Sequence, residues 1–200
     1  MDPAKHKSKN VLNLADPRIR RTVDFLDEAL TALLLRRSYD TIRVGDIARK
    51  AGVGRATFYA HFGEKDELLQ MQIEQVISRL VMVDASLPWV VDATRLFAHL
   101  REYPQIYHSL ANGHTGLSVL KMAQMVLEQR ILAAAGNANS LPTGLHARFV
   151  AASLFVLIEW WSENGLQQSP EEMQTSLTKL IRSQTVSATL DRNLARATQS

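Results

Sequence analysis

The 200-residue sequence contains no cysteine. Disulfides, thiolate catalysis, cysteine–zinc sites and thiol redox sensing are therefore excluded. Glycine (9) and proline (6) are scarce, which argues against a turn-rich β-sandwich and for long helices. Long apolar runs are also missing. The longest, Phe149 to Ile158, ends at Glu159, whereas a membrane-spanning helix needs about 20 apolar residues. Near the N-terminus, Lys5, Lys7 and Lys9 are followed only by the short segment Val11 to Ala15. That is too brief and too interrupted for a signal peptide, so the expected compartment is the cytoplasm, with no membrane partner. What remains is an ordinary globular composition, 46% hydrophobic and 22% charged. The length suits one domain, or two small ones sharing a boundary, at about 150 residues per domain.

Charge is unevenly spread. The net formal charge is +3, but residues 1–65 hold 13 Lys and Arg against 8 Asp and Glu, and residues 66–200 hold 10 against 12. A basic front section on a slightly acidic remainder points to a polyanionic partner. From charge alone, a solvated charged surface fits equally well.

The apolar spacing is helical almost throughout, and no segment alternates as a strand. Residues 1–15 read as a polar basic arm. Asp16 and Pro17 form a helix start, and Val23, Leu26, Leu30, Leu33 and Leu34 carry the helix to about Arg37. Ser38 to Thr41 is a turn. Val44, Ile47, Ala48 and Ala51 mark a short second helix, broken at Gly52–Val53–Gly54. A third runs from Arg55 to Phe62 and a longer fourth contains Leu69, Ile73, Val76, Ile77 and Leu80, and the Pro88–Trp89 region closes this front section. Further helices are expected over Asp92–Glu102, Pro104–Leu110, Leu117–Ala135 and Pro142–Asn164, with breaks at Asn112–Gly113, Thr115–Gly116 and Gly136–Ser140. Phe149 to Trp161 is apolar nearly all round, the pattern of a helix buried on more than one side. The last helix begins at a capping box, with Ser169 at the cap, Pro170 in the first position and Glu172 three residues on. Residues after about Arg182 are polar and expected to fray.

The two short helices around Gly52–Val53–Gly54 make a helix-turn-helix pattern. The first buries Val44, Ile47, Ala48 and Ala51, the second Phe58 and Phe62, and Val53 plugs the angle between them. That leaves Arg55, Ala56, Thr57, Tyr59, Ala60 and His61 at or beside the outer face. These are small groups for close approach and donors for phosphates and base edges, as a major-groove recognition helix requires. An αα-corner inside a helical core is the alternative on this pattern alone.

The segment Ile42 to Leu69, IRVGDIARKAGVGRATFYAHFGEKDELL, resembles the DNA-binding domain of the TetR family of transcriptional regulators. Tyr39, Val44, Asp46, Ile47, Ala48, Ala51, Gly52, Val53, Thr57, Phe58, Tyr59, His61, Phe62, Lys65, Glu67, Leu68 and Leu69 carry the likeness, which covers about the first third of the chain. The resemblance implies phosphate contacts from Tyr59, His61 and Lys65, the last helped by a helix N-terminus. It places Thr57, with Arg55 and Ala56, nearest the bases. Three positions depart from the family pattern. Arg43 stands where Ser or Thr usually caps the first motif helix, and arginine offers a phosphate contact instead of a cap acceptor. Gly54 stands for a Ser that caps or touches phosphate, and Glu64 for the Ser before the lysine. The basic residues of the arm and first helix (Lys5, Lys7, Lys9, Arg18, Arg20, Arg21) are candidates for further phosphate or minor-groove contacts, or a solubilising tail over 1–15.

The fold class expected is thus all-α: a flexible arm (1–15), a three-helix DNA-binding domain (16–65), a larger helical ligand-binding and dimerisation domain (66–185) and a polar tail (186–200). The last two long helices are the dimerisation candidates, through Phe149, Ala152, Leu154, Leu157, Ile158, Leu177, Leu180 and Ile181, with a purely intramolecular core as the alternative. Candidates for the lining of an effector pocket are His99, Tyr103, Tyr107, His108, Met122, Met125, Trp160 and Trp161. The effector is expected to be a small apolar or amphipathic molecule. His99, His108 and His114 lack metal-ligand spacing, so no metal is expected. No cofactor is expected, and nucleophile elbow, phosphate loop and dinucleotide fingerprint are absent from the sequence. The function expected is a ligand-responsive repressor that binds double-stranded DNA as a homodimer. The alternatives are a DNA-binding protein of this fold with no effector and, more remotely, a small all-α enzyme.

Overall fold

The computed structural model describes residues 15–84, 91–111, 116–136 and 141–182. The arm (apart from its last residue), Pro88–Trp89, the breaks at Asn112–Gly113 and Thr115, His114, residues 137–140 and the polar tail lie outside the described residues.

Helix α1 (Pro17–Leu34) starts as its sequence dictates: Asp16 Oδ1 accepts the Arg18 amide at 2.8 Å and Pro17 occupies the first position. Its buried face is Val23, Leu26, Ala29, Leu30 and Leu34. The regular helix stops three residues short of Arg37, because the amides of Arg36 and Arg37 both turn back to the Leu33 carbonyl. A single 3-10 turn, Tyr39–Thr41, leads to α2 (Val44–Lys50) and α3 (Arg55–His61). Of the two glycines between them, only Gly52 needs glycine's freedom. Its φ is +70°, whereas Gly54 lies in ordinary extended space at −76°. Helix α4 (Lys65–Leu80) follows.

Next comes a departure from the all-helical expectation. Met82–Val83 (β1) pairs antiparallel with Val91–Asp92 (β2), with Met82 opposite Asp92 and Val83 opposite Val91. Two residues per strand are too few for an alternating pattern to register in sequence. Helices α5 (Thr94–Glu102), α6 (Pro104–Ala111), α7 (Gly116–Ala134) and α8 (Leu141–Glu163) follow, and α9 spans 170–182. The α9 capping box is made in full: the Ser169 amide donates to Glu172 Oε2 at 2.7 Å, and the Glu172 amide to Ser169 Oγ at 3.2 Å. Gln174 on α9 ties the last helix to β2, accepting from the Ala93 amide at 2.8 Å and donating to the Val91 carbonyl at 2.9 Å.

Two apolar cores form around these elements. One joins α1, α2, α3 and the start of α4 through Leu26, Leu30, Tyr39, Ile47, Phe58, Phe62, Leu68 and Leu69, and reaches Val119 of α7. The other joins the end of α4 to α5, α7, α8 and α9 through Ile77, Phe97, Leu127, Ile131, Leu154, Trp161 and Leu177. Helix α4 therefore belongs to both. Its first turns sit in one core and its last in the other, and Ile73 packs against each. No helix of the described residues is long and apolar enough to cross a membrane.

Candidate nucleic-acid interface and effector cavity

The cap of α2 explains how the chain tolerates Arg43. Asp46, three residues in, takes the Arg43 backbone amide on Oδ2 at 3.1 Å and ion-pairs with Arg37 at 3.1 Å and Arg49 at 2.6 Å. The amide and the two guanidiniums hold its carboxyl below the usual aspartate range. The Arg43 side chain is left exposed. At the start of α3, Gly54 has no side chain to give the first-turn amides, and its backbone lies open to solvent.

Helix α3 turns Phe58 into the core, its ring 5.7 Å from that of Phe62. Arg55, Ala56, Tyr59 and Ala60 are exposed, Thr57 and His61 half-buried. Tyr59 is 56% exposed and leans edge-on against Phe58, so its hydroxyl end is free while its ring is braced. Arg55 lies over α2: a Cβ added to Gly45 would sit 2.6 Å from Arg55 Nη2. The first turns of α2 and α3 are thereby held side by side. Every residue the sequence reading assigned to DNA on these two helices is thus exposed or at the rim, and none is in the core.

Lys65 is more engaged than sequence suggests. Its ammonium donates to the Tyr39 carbonyl at 2.9 Å and the Ile42 carbonyl at 3.0 Å, and lies 4.1 Å from the Tyr39 ring centroid. The Tyr39 hydroxyl donates to Asp66, and burial and that carboxylate push the phenol's pKa far upward. Lys65 thus ties the 3-10 turn to the start of α4, using two of its three donors.

A cavity of about 300 Å³ lies where α1, α4, α5, α6, α7 and α8 converge. Its wall is mostly apolar: Leu34, Leu69, Ile73, Val76, Leu96, Leu100, Ile106, Leu110, Val119, Leu120, Phe155 and Ile158 among others. The polar groups are Asp27, Thr31, Gln72, Arg79, His99 and Tyr107. Gln72 Nε2 donates to the Asp27 carbonyl at 2.8 Å and Thr31 Oγ1 at 3.1 Å. Burial lowers the pKa of His99 and raises that of Tyr107.

Of the pocket residues expected from sequence, His99 and Tyr107 line this cavity. The other six are placed elsewhere. Tyr103 at the α5–α6 corner and His108 within α6 are exposed. Met122 and Met125 line an open groove between α4 and α7, beside Gln70, Glu74 and Lys121. Trp160 is 46% exposed, and Trp161 is fully buried in the core with its ring edge-on to Phe97. An aromatic or Met at helical spacing marks a packed face without saying which. The polar lining supplied by α1 and α4 was missed, because those helices read as parts of the front domain. The available signal was Asp27 and Thr31, two turns and one turn before Leu34 on a single stripe of α1.

The expected dimer residues divide in the same way. Leu154, Ile158, Leu177 and Ile181 are buried within the chain, Ile158 against the cavity, and Leu157 is half-buried. Phe149 and Leu180 are exposed and Ala152 is half-exposed. With Leu145, Val156 and Trp160, the α8 members fall on one stripe at positions 145, 149, 152, 156 and 160. Among the described residues no group of three or more His, Cys, Asp or Glu is arranged to hold a metal.

With this geometry in place, the likeness to known proteins can be located on it. The family model described as "Bacterial regulatory proteins, tetR family" matches residues 26–71, the end of α1 through the start of α4. A second, "Transcriptional regulator C-terminal region", matches residues 92–183. Two curated relatives come from Bacillus subtilis (strain 168). The HTH-type transcriptional regulator YxbF is 39% identical over 67 residues, covering 33% of this chain and 18% of its own length. The HTH-type transcriptional regulator YwcC is 41% identical over 51 residues, covering 26% of this chain and 22% of its own. The chain thus matches about a fifth of each relative. Among solved structures, a TetR transcriptional regulator from Rhodococcus sp. RHA1 superposes with a TM-score of 0.58 at 17% identity, over 84% of this chain and 97% of the other. The dihydroxyacetone kinase operon activator DhaS does so at 0.56 and 20% identity, over 82% and 95%. These likenesses extend the fold beyond the motif to nearly the whole described chain.

Proposed function

The chain belongs to the TetR family of transcriptional regulators, and from that membership we propose that it is a dimeric repressor released from its operator by a small apolar or amphipathic molecule. The observation that carries this reading is the path of α4. Its first turn holds the recognition end through Lys65 and Asp66, and its later turns wall the cavity through Gln72, Ile73, Val76 and Arg79. A molecule seated there pushes on the helix that positions α2 and α3. It switches the protein only if it favours one placement of that helix over the other.

In this reading α3 enters the major groove. Thr57, Arg55 and Ala56 approach base edges, Gly54 allows close approach, and Arg43, Tyr59, His61 and Lys65 hold phosphates. The exposed α8 stripe and Leu180 pair two copies, which would present two recognition helices to half-sites of a near-palindrome about 34 Å apart. A shift of a few ångströms spoils simultaneous engagement. Like the rest of its family, the protein is a regulator rather than an enzyme, and it acts in the cytoplasm, where the DNA is.

The test is footprinting on the DNA flanking its own gene, across a salt series, with transcription from that DNA followed in parallel. The expected result is a protected near-palindrome, steep loss of affinity with salt, and lower transcription on binding. Protection accompanied by higher transcription overturns the repressor assignment. Sequence-independent binding alone overturns operator recognition.

A further inference from the structure

Resting on that reading of the cavity, we propose that the effector it accepts carries a cationic, hydrogen-bond-donating group, an ammonium or amidinium, on an apolar body, and that Asp27 of α1 receives that group.

Three observations lead to this class. First, Asp27 lines the cavity, and although the Gln72 side chain acts on its carboxyl, its Oδ1 is buried with no hydrogen-bond partner. That oxygen retains its desolvation cost until a donor arrives. Rotation about its last side-chain bond offers either oxygen to such a donor.

Second, the charges that act from outside the wall on its titratable groups are of one sign. Asp24 and Glu28 act on Asp27, Glu102 on His99, and Glu159 and Glu163 on Tyr107. The cation that acts among these groups is Arg79, whose guanidinium is exposed and bonded to Gln75 on its own helix. Burial lowers the pKa of His99, which disfavours its cationic form. The wall itself holds one carboxylate, Asp27, and one guanidinium, Arg79, while the other five carboxylates lie at exposed positions outside it, so their field adds to that of Asp27 and favours a cationic head group over an anionic one.

Third, the remaining wall is apolar and the volume, about 300 Å³, suits a ring with a short chain. Because Asp27 and Thr31 belong to α1, whose Leu26 and Leu30 pack in the same core as Phe58 of α3, the occupant would touch the DNA-reading unit itself.

Three probes with one apolar body separate the head-group classes: 4-phenylbutylamine, 4-phenylbutan-1-ol and 4-phenylbutanoate, titrated calorimetrically into the full chain. The amine is expected to bind at least roughly tenfold tighter than the alcohol, with the carboxylate weakest. Asp27→Asn should remove that preference and leave the alcohol's affinity within about twofold. Arg79→Gln, at an exposed position, should tighten the amine and serves as the second variant if Asp27→Asn does not fold. The proposal is overturned if the carboxylate binds as well as the amine, if none of the three binds at millimolar concentration, or if both variants leave the amine-to-alcohol ratio unchanged. Operator release is measured separately. Amine binding through Asp27 that leaves DNA affinity intact upholds this assignment and overturns the ligand-released repressor.

Discussion

The carboxyl group of Asp27 shows how much one side chain depends on packing that its neighbours in sequence do not reveal. On α1 it follows Leu26 and precedes Leu30, so it reads as the solvated flank of an amphipathic helix. Only the arrival of α4, α6 and α7 roofs that flank and turns Asp27 and Thr31 into cavity wall. Burial is the main reason its pKa is raised above the ordinary 3.8, with Gln72 and Arg79 opposing and Asp24 and Glu28 reinforcing. An acid whose pKa is raised by folding binds more protons folded than unfolded between its two pKa values. Stability therefore falls as pH climbs through that window. Asp27→Asn removes this effect. The variant without ligand should melt higher than the parent near pH 7, and its advantage should fade as pH falls toward 3.8. Thermal melts at several pH values check this, and an advantage that grows on acidification would show that the carboxyl is not the group responsible.

At the scale of elements, the sequence is most legible where a local rule governs. The starts of α1 and α9 fall at Asp16–Pro17 and at Ser169, because caps act over three or four residues. Helix α8 is the opposite case. It is apolar nearly all round, so periodicity names no inner face. Its buried side turned out to be Ala147, Val150, Leu154, Ile158 and Trp161, and its exposed side Leu145, Phe149, Val156 and Trp160. The start of α4 lies between these extremes. A motif match marks Lys65 as a phosphate ligand, but not the two carbonyls it holds on the preceding turn. Lys65→Met should therefore do two things. It should lower stability by about 1–3 kcal/mol, as loss of charged hydrogen bonds does, and it should weaken binding to all DNA sequences alike with the salt slope reduced by about 0.9. Denaturant melts and a salt titration read the two effects separately. A full stability loss with an unchanged salt slope would make the lysine a tie and nothing more.

For the whole molecule, charge and patterning set a basic front against a slightly acidic remainder. A boundary at residue 65 or 66 falls at the head of α4, and that helix packs in both cores. Assembly is the property that sequence leaves most open, since a residue that packs inward and one that packs on a partner are equally apolar. In the proposed dimer, the α8 stripe and Leu180 are the expected interface residues left exposed on the single chain. Val156, 61% exposed, lies mid-stripe between Phe149 and Trp160. Val156→Glu places a charge there at little cost to a single copy, because substitutions at exposed positions typically stay within about 0.5 kcal/mol. In a packed interface the same charge would be buried without a partner, which dimer formation does not tolerate. If two copies pair through this face, the variant should sediment as a monomer with unchanged helical content and melting temperature. On operator DNA it should lose the joint engagement of two half-sites. Affinity should drop by roughly two orders of magnitude or more, as expected when the second binding event is no longer intramolecular, and the salt slope should fall to about half because one copy meets half the phosphates. A variant that remains dimeric would move the interface off α8. A monomer that kept the parent's full salt slope would show that one copy alone makes all the phosphate contacts, and the operator would then have no reason to be a palindrome.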